Sequence, residues 1–135
     1  MIRRAGIVRI ASRAAAIIAV ALLAACGGYD SDIKAVKQAE GTPGHSNEAW
    51  ANDVAGARGH VEWTADKAVA YNNPDVIEVV ANIDRPSANG TAHKVELHFL
   101  HNRQTRKIAL DNVVVDGKAQ GIIGGALNLM LLQLQ

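Results

Sequence analysis

The chain has 135 residues, of which 14 are lysine or arginine and 13 are aspartate or glutamate, giving a formal net charge of +1. This length predicts a single domain, and the one cysteine excludes a disulfide bond within the chain. Four of the basic residues precede residue 26, so residues 26–135 carry 10 basic and 13 acidic residues, a net charge of −3. A small acidic balance gives no support to nucleic-acid binding.

The first 25 residues predict a secretory signal. All charged residues before Cys26 are arginines, and an uncharged apolar run over residues 14–23 follows them. A basic start, a short apolar stretch and small residues at its end are typical of a signal peptide. The apolar run is shorter than the roughly 20 residues that a membrane-spanning helix needs. We therefore expect residues 1–25 to be removed.

The residues at the end of this signal are Leu23-Ala24-Ala25-Cys26. They resemble the lipobox of bacterial lipoproteins, a resemblance that covers this stretch and does not identify a family for the rest of the chain. It implies that the Cys26 thiol receives a diacylglyceryl group and that Cys26 becomes the first residue of the mature protein. Two or more acyl chains anchor a protein stably to a bilayer. Because Gly27 stands where an aspartate would favour inner-membrane retention, the resemblance implies the periplasmic face of the outer membrane, with the inner membrane as the alternative.

Residues 26–34 are expected to form the lipidated N-terminus and a short tether, followed by one globular domain over residues 35–135. The segment Asp32–Glu40 contains good helix formers with apolar residues at helical spacing, and it predicts either a short helix or a first strand. The Gly-Thr-Pro-Gly sequence at residues 41–44 ends it.

A second helix is predicted after Ser46, whose hydroxyl can cap it. The helix should run from Asn47 to about Ala57. Trp50, Val54 and Ala57 fall at helical spacing and are predicted to form its buried face.

Four antiparallel strands are predicted next, over residues 60–65, 75–85, 91–101 and 106–116, and they alternate apolar and polar residues. The positions predicted to face inward are Val61, Trp63, Ala65, Ile77, Val79, Ala81, Ile83, Val95, Leu97 and Phe99. The positions of the second strand predicted to face outward are Val76, Glu78, Val80, Asn82 and Asp84. The fourth strand changes parity near Asp111, which is typical of a β-bulge.

The last segment, Ala119–Gln135, predicts a helix, although the alternation of its leucines leaves a strand as an alternative. The residues expected to be buried in this helix are Ile122, Ile123, Ala126, Leu127, Met130 and Leu134. Gly121 and Gly125 have the Gly-x-x-x-Gly spacing, which we expect to allow close packing on the sheet or on a neighbouring helix, with a helix dimer as the alternative.

Together these elements predict the α+β class: a small single domain with a helix, about four antiparallel strands in a meander, and a C-terminal helix packed on one sheet face. The other sheet face should be wet, as antiparallel sheets allow. Its polar residues, with the basic hairpin after residue 101, are the candidate partner-binding residues: Glu62, Glu78, Glu96, His98, Arg103 and Arg106.

Catalytic and metal sites are not expected. His93 and His101 lie on the opposite strand face from His98, and their separation of eight residues spans roughly 26 Å. Three neighbouring glutamates could support glycosidase chemistry, but carboxylates on a solvated sheet face are far commoner. No nucleophile, zinc or phosphate-loop motif is present, so we expect neither an enzyme nor a cofactor.

The function predicted from these features is a non-enzymatic, membrane-anchored lipoprotein that faces the periplasm and binds another envelope protein. One alternative is an inhibitor or immunity protein against a periplasmic hydrolase, with the loop 86–91 as its inserting element. The other is a small-ligand-binding lipoprotein, which would need a concave pocket with converging polar groups.

Overall fold

The computed structural model of the protein describes residues 28–133, so the Leu23–Cys26 lipobox and Leu134 lie outside the described residues. From Ser31 onward the chain forms one compact unit. The helices are α1 (Asp30–Gln38), α2 (Asn47–Ala55) and α3 (Gly121–Gln133). The strands are β1 (Glu40–Thr42), β2 (His45–Ser46), β3 (His60–Lys67), β4 (Val76–Pro86), β5 (Ala92–Asn102), β6 (Ile108–Val115) and β7 (Lys118–Ala119).

The helix alternative for the first segment is confirmed, and α1 ends at Gln38. The Gly-Thr-Pro-Gly sequence, predicted only as a break, is the centre of a small hairpin in which Thr42 of β1 pairs with His45 of β2. Pro43 and Gly44 form its two-residue turn, and Gly44 has a φ of 78°, which glycine adopts without steric cost. The hairpin therefore projects from the chain directly between α1 and α2.

The predicted cap of α2 is confirmed, because the Ser46 hydroxyl accepts a hydrogen bond from the Ala49 N–H at 3.1 Å. The prediction that Ala57 is buried was wrong. The helix ends at Ala55, and Gly56 with a φ of 73° turns the chain away, so Ala57 lies beyond the helix and is exposed. The residues that α2 buries are Asn47, Ala51, Val54 and Ala55, whereas Trp50 is partly buried.

The four predicted strands are confirmed, and β7 adds a short fifth strand to the sheet. The order is β3-β4-β5-β6-β7, with every neighbouring pair antiparallel. The predicted β-bulge is confirmed as well. His98 pairs with Asn112 and Phe99 pairs with Leu110, so Asp111 is the extra residue.

The core lies between the sheet and the helices α2 and α3, which pack on β3, β4 and β6. The predicted inward positions of the two central strands are all buried: Ile77, Val79, Ala81, Ile83, Val95, Leu97 and Phe99. Val76, predicted to face outward, is buried as well. Val76 is the first residue of β4, where the connection from β3 meets the strand. The Ala68 N–H donates to the Val76 carbonyl at 3.1 Å, and the Val76 N–H donates to the Asn73 carbonyl at 3.2 Å. The simple alternation of buried and exposed residues therefore does not hold at this junction.

The C-terminal helix is confirmed, but the prediction that Ile122 and Ile123 are buried was wrong, because they are 52% and 87% exposed. They lie in the first turn of α3, next to a strand of only two residues. Leu129 and Leu132 are buried instead. The side chains of Ala126, Leu127 and Met130 lie outside the described set. No helix within residues 28–133 is long and apolar enough to span a membrane.

Gly125 packs against β6, as the glycine spacing predicted. A Cβ atom on Gly125 would overlap the Val113 side chain, whereas a Cβ on Gly124 would meet its nearest neighbour, Gln120 Cβ, at 3.8 Å. We expect Gly125→Ala to lower the free energy of unfolding by about 1–3 kcal/mol, because the core must move to admit the methyl group. Gly124→Ala is the matched control and should be neutral or stabilising by up to about 1 kcal/mol.

Urea denaturation of both variants measures the difference. Equal stability of the two variants would contradict the close contact between α3 and β6.

Candidate functional site

Three of the candidate residues meet on the outer sheet face, which is the face turned away from α2 and α3. The imidazole of His98 lies between two carboxylates, with Nε2 at 3.2 Å from Glu96 Oε2 and Nδ1 at 3.6 Å from Glu78 Oε1. The strand register produces this arrangement, because side chains at every second residue of β4 and β5 share a face. We call Glu78, Glu96 and His98 the outer cluster.

Glu62 lies on the same face but outside the outer cluster. In the register, Glu62 of β3 is opposite Asn82 of β4, and Asn82 is opposite Glu96 of β5. The Asn82 amide donates to the Glu62 carbonyl at 3.3 Å and to the Thr64 hydroxyl at 3.0 Å. Asn82 therefore separates the Glu62 carboxylate from the cluster.

The two candidate arginines occupy the hairpin between β5 and β6. Arg106 is exposed and has a φ of 62°. Arg103 binds the buried carboxylate of Asp32 in α1 with two hydrogen bonds, Nη2 to Oδ2 at 2.6 Å and Nε to Oδ1 at 3.0 Å. His101 Nδ1 lies 2.8 Å from the same Oδ1. The structure thus gives Arg103 an internal ionic partner on the helix side of the sheet.

The Asp32 carboxyl is 1% exposed and depends on these partners. Burial alone raises its pKa, but the hydrogen bonds and positive charge of Arg103 and His101 outweigh burial, and the pKa lies below the ordinary value of 3.8. A bidentate arginine and a third polar contact satisfy the carboxylate on both oxygens. We call Asp32, His101 and Arg103 the ionic clamp.

A groove that the sequence patterns do not predict lies on the helix side of the sheet. It has a volume of about 500 Å³ and lies between the β1–β2 hairpin and the first half of β6. Trp50 and Phe99 contribute its aromatic surface, with ring centroids 6.4 Å apart in an edge-to-face arrangement. Ile108, Ala109 and Leu110 form the β6 wall. We call this region the Trp50 groove.

Polar groups line the hairpin side of the Trp50 groove. They come from Glu40, Thr42, His45 and Asn47. The Glu40 carboxylate accepts a hydrogen bond from the Gly44 N–H at 3.1 Å, and His45 forms an ion pair with Asp53 at 3.0 Å. A cleft with an apolar wall and a polar wall suits the binding of a molecule that presents both apolar and polar groups. The sequence predicted Trp50 to be buried, and the spacing of the distant wall residues gave no signal for the groove.

A smaller cavity of about 230 Å³ lies at the end of α2 and is lined by Arg58, Arg85 and His93 among others. The Arg85 guanidinium donates to the Val54 carbonyl at 2.6 Å, and His93 bonds the Asp116 carboxylate at 2.8 Å. That bond, with the Lys94 N–H, lowers the pKa of Asp116. Both Arg85 and His93 thus already hold structural partners.

The three histidines of β5 each have a separate carboxylate partner. Among residues 28–133, no group of three or more histidine, cysteine, aspartate or glutamate side chains could hold a metal ion. Comparisons with protein families, curated proteins and solved structures find no match to the chain. The surfaces and contacts of the protein itself are therefore the basis for assigning a function.

The ionic clamp makes stability depend on pH. Because the pKa of Asp32 is lowered by folding, its contribution is present above the unfolded value of 3.8 and is lost as the pH falls through the folded value. We expect Asp32→Asn to cost about 1–3 kcal/mol of unfolding free energy at pH 5, since it leaves charged donors without a carboxylate. This deficit relative to the wild type should shrink below pH 3.8.

Thermal unfolding between pH 2 and pH 5 checks this expectation. Asp30→Asn, which alters an exposed carboxylate in the same helix, is the control. A deficit that does not change with pH would contradict the role given to the Asp32 charge.

Proposed function

We propose that the protein is a non-enzymatic lipoprotein, anchored by acylated Cys26 at the periplasmic face of the outer membrane, that binds another envelope protein. The lipobox resemblance supports the anchor and the compartment. The single observation that carries the binding role is the Trp50 groove. A concave site that combines an aromatic surface with several polar groups is the usual form of a binding site, and such sites are few per protein.

The Trp50 groove, rather than the outer sheet face, is the surface that we propose for binding the partner. The outer cluster pairs its histidine with its own glutamates, and Arg103 is held by Asp32. These contacts satisfy four of the six candidate residues within the protein, whereas Glu62 and Arg106 are exposed. The groove instead presents partly buried apolar surface that would gain free energy if a partner removed it from water.

Small-ligand binding is the second candidate function. A volume of about 500 Å³ falls within the range of roughly 300–1,000 Å³ found for small-molecule sites. Crosslinking distinguishes the binding of a small ligand from the binding of a protein. A small ligand would leave the crosslinking pattern of the membrane unchanged, whereas a protein partner would produce a defined adduct.

The anchor itself is tested by mass spectrometry of the membrane-purified protein. We expect the mature chain to begin at Cys26, to carry a diacylglyceryl group and to fractionate with membranes. The Cys26→Ser variant should keep residues 1–25, because the lipid attachment that precedes cleavage is blocked. Cleavage at another residue, or an unmodified cysteine in the wild type, would contradict the anchor.

The binding role is tested by crosslinking and pull-down from membranes with four forms of the protein. We expect the wild type to capture one reproducible partner and Cys26→Ser to lose it. Thr42→Trp, which puts a bulky side chain at the groove rim, should reduce capture about tenfold. Thr64→Trp makes the same change on the outer sheet face and should keep capture near the wild-type level.

The reverse pattern, with loss only in Thr64→Trp, would move the site to the outer face near Glu62. Capture of a secreted hydrolase would favour the inhibitor or immunity alternative. Capture of nothing by the wild type would contradict protein binding and leave the small-ligand candidate.

A further inference from the structure

The first half of β6 has an open edge. On the side away from β5, β7 pairs only with Val114 and Val115, and the Gln120 N–H donates to the Val113 carbonyl at 2.8 Å. Within residues 28–133, no strand pairs with this side of the segment 108–112. An unpaired strand edge presents free backbone donors and acceptors, which form a template for another extended chain.

The hydrogen-bond alternation shows which backbone groups face the open side. The Asn102 N–H donates to the Lys107 carbonyl at 2.9 Å, so Lys107 belongs to a pair that bonds β5. In an antiparallel pair the bonded residues alternate, so Ala109 also bonds β5, while Ile108 and Leu110 direct their N–H and C=O groups outward. Four backbone groups therefore face away from the sheet at this position.

The open edge and the Trp50 groove are one site. Ile108 and Leu110 form part of the groove wall, and the hairpin residues 40–42 form the opposite wall. A chain paired with β6 at Ile108 and Leu110 would therefore lie next to the groove. Alternate side chains of that chain would point to the face of the sheet that carries the groove.

We infer that the Trp50 groove binds its partner by strand addition, an inference that rests on the proposed function. In this mode an extended segment of an envelope protein pairs with β6 at Ile108 and Leu110. Backbone hydrogen bonds supply affinity in this mode of recognition, and alternate side-chain pockets supply specificity. A second copy of the chain is the competing occupant, and the open edge offers it only residues 108–112, beside the β1–β2 hairpin.

The chemistry of the groove restricts the segment further. Its aromatic surface calls for an apolar side chain on the inward face of the segment. At the rim, Glu40 forms no ion pair within the described part of the chain. A lysine or arginine next to the apolar residue would neutralise Glu40. The segment is thus extended, free of proline at the paired positions, and carries an apolar residue beside a cationic one.

The test uses the mature lipidated protein in detergent micelles and a pool of capped octapeptides that alternate valine with variable residues, half of them containing one arginine. Peptides that bind are then resynthesised with an N-methyl group at each position in turn. For strand addition we expect alternate positions to lose about tenfold or more in affinity, because only every second peptide N–H bonds the edge. Backbone amide exchange of Ile108 and Leu110 should slow when peptide binds, while Ala109 stays protected throughout.

Two variants of one residue give the matched control. Leu110→Pro removes an outward N–H and should weaken peptide binding about tenfold, whereas Leu110→Val keeps that N–H and should change binding less than threefold. Circular dichroism confirms that both variants fold. If Leu110→Pro does not fold, the amide-exchange measurement on the wild type and the binding of the N-methylated peptides to it decide whether strand addition occurs.

The outcomes separate this inference from the proposed function. If no peptide binds but the crosslinking experiment still captures a partner, strand addition is overturned and the binding role stands. Binding that is insensitive to N-methylation, or that leaves the Ile108 and Leu110 amides exchanging freely, also overturns it. Protection of those amides that rises with protein concentration in the absence of peptide would assign the edge to a second copy instead.

Discussion

A single buried carboxylate joins the two chain segments that lead into the walls of the groove. Asp32 joins α1 to the turn between β5 and β6 through Arg103 and His101. Helix α1 leads within two residues of its end into β1, and the same turn leads directly into β6. The ionic clamp therefore lies close in the chain to both walls of the Trp50 groove. A second bond, from the Asn47 amide to the Val36 carbonyl at 2.9 Å, ties α2 to α1.

A buried charge is costly for stability, and an apolar contact of the same volume would often serve as well. The Asp32 carboxylate, unlike an apolar contact, also constrains the orientation of α1. Three hydrogen bonds to two oxygens fix the rotation of α1 about its axis as well as its distance from the turn. Because β1 follows α1 so closely, that rotation also determines where the hairpin stands relative to Ile108 and Leu110.

The sequence predicts those features that depend on neighbours along the chain. Alternation of apolar and polar residues located the central strands, the change of parity located the bulge at Asp111, and a hydroxyl before a helical run located the cap at Ser46. The exposure of Ile122 and Ile123 escaped prediction, because apolar spacing does not show that the first turn of the helix stays in solvent while Leu129 and Leu132 are buried. Val76 was misassigned because it is the first residue of β4, where backbone bonds to Ala68 and Asn73 of the preceding connection replace the regular strand pattern.

The groove could not be predicted, since its walls are residues 40–42 and 108–110, which are more than 60 positions apart in the chain. Periodicity carries no information about such a juxtaposition. The Asp32 carboxylate gave no signal either, because a lone aspartate in the first turn of a helix is ordinary on a surface. The outer cluster was predictable in part, because strand parity places Glu96 and His98 on one face and only the register adds Glu78.

The two edges of the sheet differ in a way that supports a binding role for one of them. The edge strand β3 places exposed polar residues along its length, including Glu62, Asp66 and Lys67, and charged side chains discourage pairing with another chain. The open segment of β6 reads Ile-Ala-Leu, without a charge between Lys107 and Asp111.

The β-bulge at Asp111 helps to keep the edge of β6 open. The Asn112 side chain, next to the extra residue, accepts hydrogen bonds from the Val113 N–H at 2.9 Å and the Gly121 N–H at 3.0 Å. These bonds fix the point where the chain leaves the edge to begin α3, so β7 cannot continue along Ile108–Leu110. Bulges of this kind end strand pairing next to functional sites. An open edge of three apolar residues is long enough to take one extended segment and too short to favour unlimited sheet growth, which suits the proposed one-to-one complex.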